Sequence, residues 1–475
     1  MRHVKIPLVF WLLSLFFLAR LAISSTPMAD DYCLAYGSYK FGVLSSFLYL
    51  NSHWTPTLGN LYLLAYWALP FNSHLTALLI GLVSLAVSTS LLIIISYKLL
   101  KYLNVKSYVQ IISIFMLGFT GTLGYVQYEV FRMTLSDANL NLFFIARNWF
   151  DSFFLQSRDG QLLLWMYSTT LTSTRVLLSA TIILYVVKSS ERLSENGLRS
   201  YFSFEVVPLF FALSWGLTTE SLILIGYIVI KNLNFIAVGK LSWKNSVVLI
   251  LSFLGVLLIY ISPGSQYRNS FIPERTLTEY LLYFGANLWQ MCWILFFTML
   301  VAWLSSRAIH AHIDSEANLF PKVLRGNLLF LAMSAVLTQL FIATFAYSAA
   351  YHWTAFIWIM YVFFVINFLH FQPKIRKARR FLFVTNYVFY SYLVILVLIL
   401  STTADSSAIR RSKIDSRSAE SLILGKNVVR PVSARDNNGS TFGSDLEPGS
   451  ISIVPFEGYL LNSSIFCYSR LPAGF

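Results

Sequence analysis

The chain has 475 residues, of which 57% are hydrophobic, 17% aromatic and only 12% charged. A water-soluble domain carries about twice that share of charge, so an ordinary globular fold is excluded and a chain solvated largely by lipid is expected. The formal net charge of +14 does not point to nucleic acid, because the lysines and arginines lie mainly in short stretches between apolar runs.

In chain order, apolar windows able to cross a hydrocarbon layer of about 30 Å fall near residues 6–24, 74–97, 108–126, 170–187, 206–218, 221–236, 246–262, 284–305, 328–347, 354–371 and 381–402. The expected fold is therefore an all-α polytopic membrane protein with about 11 transmembrane helices, since a chain crossing lipid must satisfy its own backbone hydrogen bonds. The first run follows Arg2, His3 and Lys5 like a signal peptide, but many more apolar spans follow it. It reads as a retained anchor.

With the N-terminus in the cytoplasm, Lys98, Lys101 and Lys106 share one side with Lys188, Arg192 and Arg199. Lys231, Lys240, Lys244, Arg307, Lys322, Arg325 and the cluster "PKIRKARR" (Pro373 to Arg380) fall on that side too. This is the positive-inside pattern. Three outer loops follow, near residues 25–73, 127–169 and 263–283. Residues 1–402 form the expected transmembrane domain, and 403–475 a small extracytoplasmic C-terminal segment.

The first loop contains "NLYLLAYWALPF" (Asn60 to Phe71), too short to span and too apolar for water. An interfacial helix with Tyr62, Tyr66 and Trp67 at headgroup level fits it. The tail includes "SISIVPFEGYLL", which alternates like a short strand. The three cysteines have neither a metal-binding spacing nor a disulfide framework.

Ionisable groups at the outer ends of spans are costly to bury and are therefore functional candidates. Asp30 and Asp31 come directly after the first span. Two neighbouring carboxylates raise one another's pKa, which suits a general base, whereas the alternative is a solvated pair capping the next helix. Glu220, in "GLTTES", lies where two short spans meet, on the floor of an expected outer depression; its alternative is a helix cap. Arg268 follows Pro263 and Gly264 at a span end, and Arg175 lies within the outer half of the fourth span. Either guanidinium suits a phosphate, and a snorkelling arginine is the bland reading. His53 and Trp54, and likewise His352 and Trp353, suit substrate contacts or an interfacial aromatic belt. A divalent cation held by Asp30, Asp31 and a histidine is a further alternative that their spacing does not diagnose.

These residues together resemble the GT-C superfamily of integral-membrane glycosyltransferases. The resemblance is carried by Ala29-Asp30-Asp31-Tyr32 after the first span, by His53-Trp54 in a long first loop, by Glu220 near a middle hairpin, and by Pro263, Gly264 and Arg268. It is nearest to a bacterial branch with an Asp-Asp-Tyr motif in that loop. The chain departs from the pattern at "WTPTLGN", where related loops often carry Trp-x-Gly-Arg.

The resemblance implies a bacterial inner-membrane enzyme using a polyprenyl-phosphate-linked sugar donor and a glycan, lipid or protein acceptor, with no certain cofactor. Asp31 or Asp30 would be the base, Arg268 and Arg175 would meet the donor phosphate, and Glu220, His53, Trp54 and His352 would line the cavity. The rival readings are a transporter or flippase of lipid-linked substrates and a non-catalytic relative with the same fold.

Overall fold

The computed structural model describes residues 6–23, 41–53, 78–101, 107–124, 178–191, 219–237, 276–310, 320–345, 353–371 and 387–398, with a few isolated residues and pairs between and after them. Nearly all of these are helical. In chain order they give α1 (Ile6–Ile23) and α2 (Val43–His53), then a π-helical turn (Leu78–Leu82) that leads into α3 (Val83–Leu100). There follow α4 (Tyr108–Gly124), α5 (178–191), α6 (Thr219–Ala237), α7 (Leu277–His310), α8 (Lys322–Phe345), α9 (Thr354–Phe371) and α10 (387–398).

Apolar composition makes these helices, and their hydroxyl groups do not interrupt them. Ser14, Ser96, Ser113 and Thr120 each donate to the carbonyl four residues earlier on their own helix, at 2.7–2.9 Å. A polar side chain satisfied this way can sit in an apolar surround without a partner helix.

The helices enclose one continuous apolar core that includes Ile95, Phe115, Ile183, Tyr227, Ala302, Leu331, Phe356 and Leu393. α4 is central and packs on α1, α3, α7 and α9. Around it α7 packs on α8 and α9, α8 on α9, and α6 on α8. Phe115 and Phe119 of α4 meet Tyr361 of α9 at ring-centroid distances of 6.4 and 5.0 Å, and Phe119 also meets Trp358 at 5.2 Å. Rising positions on α4 thus meet falling positions on α9, so the two helices run antiparallel.

Glycine sets two of the closest approaches. At Gly81, in the π turn, a Cβ would stand 2.8 Å from Ala22 Cβ and 2.9 Å from the Ala22 carbonyl oxygen. At Gly118 of α4 a Cβ would overlap the Tyr361 hydroxyl. Only a residue without a side chain lets these backbones come so near.

The outward faces are apolar as well. On α8, Leu329, Met333, Leu337 and Phe341 recur every four residues and all are exposed, Leu337 at 58% and Phe341 at 59%. Leu324, Leu328, Leu331 and Ala335 form its buried face. A helix apolar on both faces is suited to lipid rather than water. The segments Leu78–Leu100, Met291–His310 and Lys322–Phe341 are long and apolar enough to cross a membrane, and Ile6–Arg20, Tyr108–Thr120, Thr354–His370 and Tyr387–Leu398 are shorter apolar helices.

The expected windows and the helices agree to within two residues at each end for α1, α4, α6 and α9, and less closely elsewhere. α7 begins at Leu277, so residues 277–283 of the expected third outer loop are helical. The cause is a reciprocal cap. The Thr276 amide donates to Glu279 Oε2 at 2.7 Å, and the Glu279 amide donates to Thr276 Oγ1 at 3.3 Å. Pro263 and Gln266 have helical backbone, beyond the expected span end at 262. The interfacial segment beyond Leu64, the second outer loop and the C-terminal segment beyond Ala404 and Ala408 lie outside the described residues.

Candidate functional site

Asp30, Asp31, Trp54, Arg175, Arg268 and His352 lie outside the described residues. His53 is the last residue of α2. Glu220 is the one expected site residue whose surroundings are described. It occupies the first turn of α6, where a carboxylate complements the positive end of the helix dipole. Thr219, Glu220 and Ser221 are all buried, and Glu220 is completely enclosed, whereas the sequence places it on the floor of an open depression.

The structure adds groups that the sequence reading assigned elsewhere. Lys231, counted among the cytoplasmic-side cations although it falls within the expected span 221–236, lies well inside α6 and is 4% exposed. Its ammonium stands 5.4 Å from the centre of the Tyr227 ring, a cation–π contact one helical turn away. The Tyr227 ring in turn meets Tyr185 of α5 edge-on, with centroids 6.4 Å apart and planes at 88°. Both tyrosines are buried, as is Asn232, whose amide donates to the Ile228 carbonyl at 2.9 Å.

Glu220, Tyr227 and Lys231 are spaced by seven and then four residues, which puts them on one face of α6. At about 1.5 Å per residue this polar face runs about 16 Å along the helix. The spacing was present in the sequence. The positive-inside pattern counted Lys231 with the cytoplasmic-side cations, because a charge count registers a lysine without registering what covers it. On the side facing α8, Ser334 donates to the Ile223 carbonyl at 2.6 Å. Gly226 leaves the room that this hydroxyl occupies.

At one end of the bundle, polar contacts tie several helix ends together. Glu191, at the end of α5, accepts from Lys101 at 2.8 Å and from Lys98, in the last turn of α3, at 3.5 Å. Ser190 accepts from Asn327 of α8 at 2.9 Å and donates to the Val186 carbonyl at 2.7 Å. Arg307, in the last turn of α7, is buried with its guanidinium 5.7 Å from the Trp303 ring centre. Lys322 and Arg325 open α8. These cations, expected in loops, are helix-terminal residues, and the contacts of Glu191 and Ser190 bring the ends of α3, α5 and α8 together.

Trp353, at the head of α9, is 1% exposed and packs edge-on against Phe356 at 5.6 Å, so it belongs to the core and not to an interfacial belt. Among the described residues no group of three or more His, Cys, Asp or Glu side chains is arranged to hold a metal ion. Comparison with protein-family models, curated proteins and solved structures gives no match to this chain.

Proposed function

We propose that the chain is a polytopic membrane glycosyltransferase of the GT-C kind, with about 11 spans and a cytoplasmic N-terminus. In this reading it moves a sugar from a polyprenyl-phosphate donor to an acceptor hydroxyl on the extracytoplasmic face of a bacterial inner membrane. The observation that carries the reading is the Asp30-Asp31 pair placed a few residues after the end of the apolar helix α1. The wholly buried Glu220 at the head of α6 supports it, because an enclosed carboxylate is costly in so apolar a bundle.

The chemistry needs one base. Asp31 or Asp30 takes the acceptor proton, and the acceptor oxygen bonds to the anomeric carbon as the bond from that carbon to the phosphate oxygen breaks. The configuration inverts, and the phosphate leaves as an anion. Arg268 and Arg175 offset its charge; a divalent cation, which Asp30 and Asp31 would hold, would supply further positive charge there. In this reading His53, Trp54 and His352 line the substrate cavity, and the enclosed Glu220 acts from behind that lining.

The test is transfer of labelled sugar from polyprenyl phosphate by the purified full chain in proteoliposomes. Asp31→Asn or Asp30→Asn should lower the rate about 10²–10⁴-fold without loss of folded protein. Full activity in both variants refutes the assignment. Inhibition by a chelator, reversed by added magnesium, supports the cation.

A second reading, a transporter of lipid-linked substrates, is favoured by one observation: Glu220, Tyr227 and Lys231 form an enclosed polar face along α6. It expects Lys231→Met to abolish lipid-linked sugar translocation, whereas a surface transferase with its site at the outer end tolerates that change.

A further inference from the structure

We propose that the end of the bundle where α3, α5 and α7 finish and α8 begins is a docking surface for anionic lipid headgroups. The proposal rests on the membrane reading and is independent of sugar transfer.

Four observations carry it. First, the contacts of Glu191 with Lys98 and Lys101, and of Ser190 with Asn327, bring the ends of α3, α5 and α8 to one place. Second, two lysines share that single carboxylate, so the group keeps net positive charge, and Lys188 lies one turn back on α5. Third, Lys322 and Arg325 open α8, a helix with no acidic residue in its first turn. Cations there oppose the helix dipole and cost stability, so folding alone does not account for them. Fourth, Arg307 adds a buried positive charge at the close of α7, the helix that precedes α8 in the chain, with its guanidinium against the Trp303 ring. Glu279 opens α7 at that helix's other end. The exposed apolar stripe of α8, from Leu329 to Phe341, continues from this basic end, so acyl chains and headgroup would meet adjoining parts of one helix.

An anionic leaflet offers the complementary charge, and each basic side chain near such a surface strengthens attachment about fivefold. Lys101 and Lys322 are the most accessible of the set. Glu191 keeps Lys98 when Lys101 is removed, so the fold should survive the change.

The test titrates the purified full chain in detergent with phosphatidylglycerol and, separately, with phosphatidylcholine of the same acyl chains, counting bound lipids by native mass spectrometry. Wild type should bind phosphatidylglycerol at least several-fold more tightly. Lys101→Gln and Lys322→Gln should each weaken it about fivefold, leaving phosphatidylcholine unchanged. Glu191→Gln should preserve or tighten it. Equal affinity for the two lipids in wild type overturns the proposal. So does unchanged phosphatidylglycerol affinity in both lysine variants, or an equal loss for both lipids. A chain that binds phosphatidylglycerol selectively but transfers no sugar separates this proposal from the transferase reading.

Discussion

Gly118→Ala tests the central packing contact between α4 and α9. The added methyl would have to share space with the Tyr361 hydroxyl and its ring carbon Cζ, and Cε2 stands only 2.7 Å away. Tyr361 cannot swing aside. Its side chain is 0% exposed and is held between Phe115 and Phe119, whose ring centres lie 6.4 and 5.0 Å from its own. Inserting one carbon into a core that cannot yield costs about 1–3 kcal/mol, and contact with several ring atoms argues for about 3.

The measurement is the temperature at which the protein, heated in detergent, loses half its monodisperse peak in size-exclusion chromatography. Gly118→Ala should lower that midpoint by several degrees. Tyr361→Phe alone removes a buried hydroxyl that makes no hydrogen bond among the described residues, and should cost little or nothing. Because it also deletes the atom nearest the new methyl, the double variant should lose less than the sum of the two single changes. An unchanged midpoint for Gly118→Ala, or full additivity in the double variant, refutes the argued contact.

Further outcomes follow from other contacts. Gly81→Val should destabilise the junction of α1 with the π turn at least as much, because the obstacle includes the Ala22 backbone; midpoint shifts on the same assay check it. Asn327→Leu removes the donor to the buried Ser190 hydroxyl and should cost about 1–3 kcal/mol, whereas pairing it with Ser190→Ala should recover part of the loss. Thr276→Ala removes the cap of α7 and should cost about 1 kcal/mol, read as faster amide exchange confined to the first turn of that helix. Lys231→Met should leave the midpoint equal or higher, since a buried cation gives way to an apolar chain of similar length; a large fall would mean that the ammonium anchors the fold.

Much of the helical architecture was legible in the sequence because hydropathy is a local property. The expected span 354–371 coincides with α9, and 108–126 with α4 to within two residues. The head of α7 was legible too, in the Thr276-x-x-Glu279 pattern, but an outer loop was expected there, because that stretch is more polar than the apolar window that follows. Of the candidate site, Glu220 and its first-turn position on α6 could be read directly from "TTES". Its enclosure could not.

Local sequence is enough to read this chain as apolar and helical, since both properties follow from residues adjacent along the chain. Tertiary structure alone decided that Lys231 is covered, that its ammonium stands over Tyr227, and that Trp353 belongs to the core. It also decided that Lys98 and Lys101 converge on Glu191, whose partners lie about ninety residues earlier in the chain. The physical reason is the same in each case. Charge and hydropathy belong to a residue, but burial and pairing belong to the neighbours that distant segments bring to it.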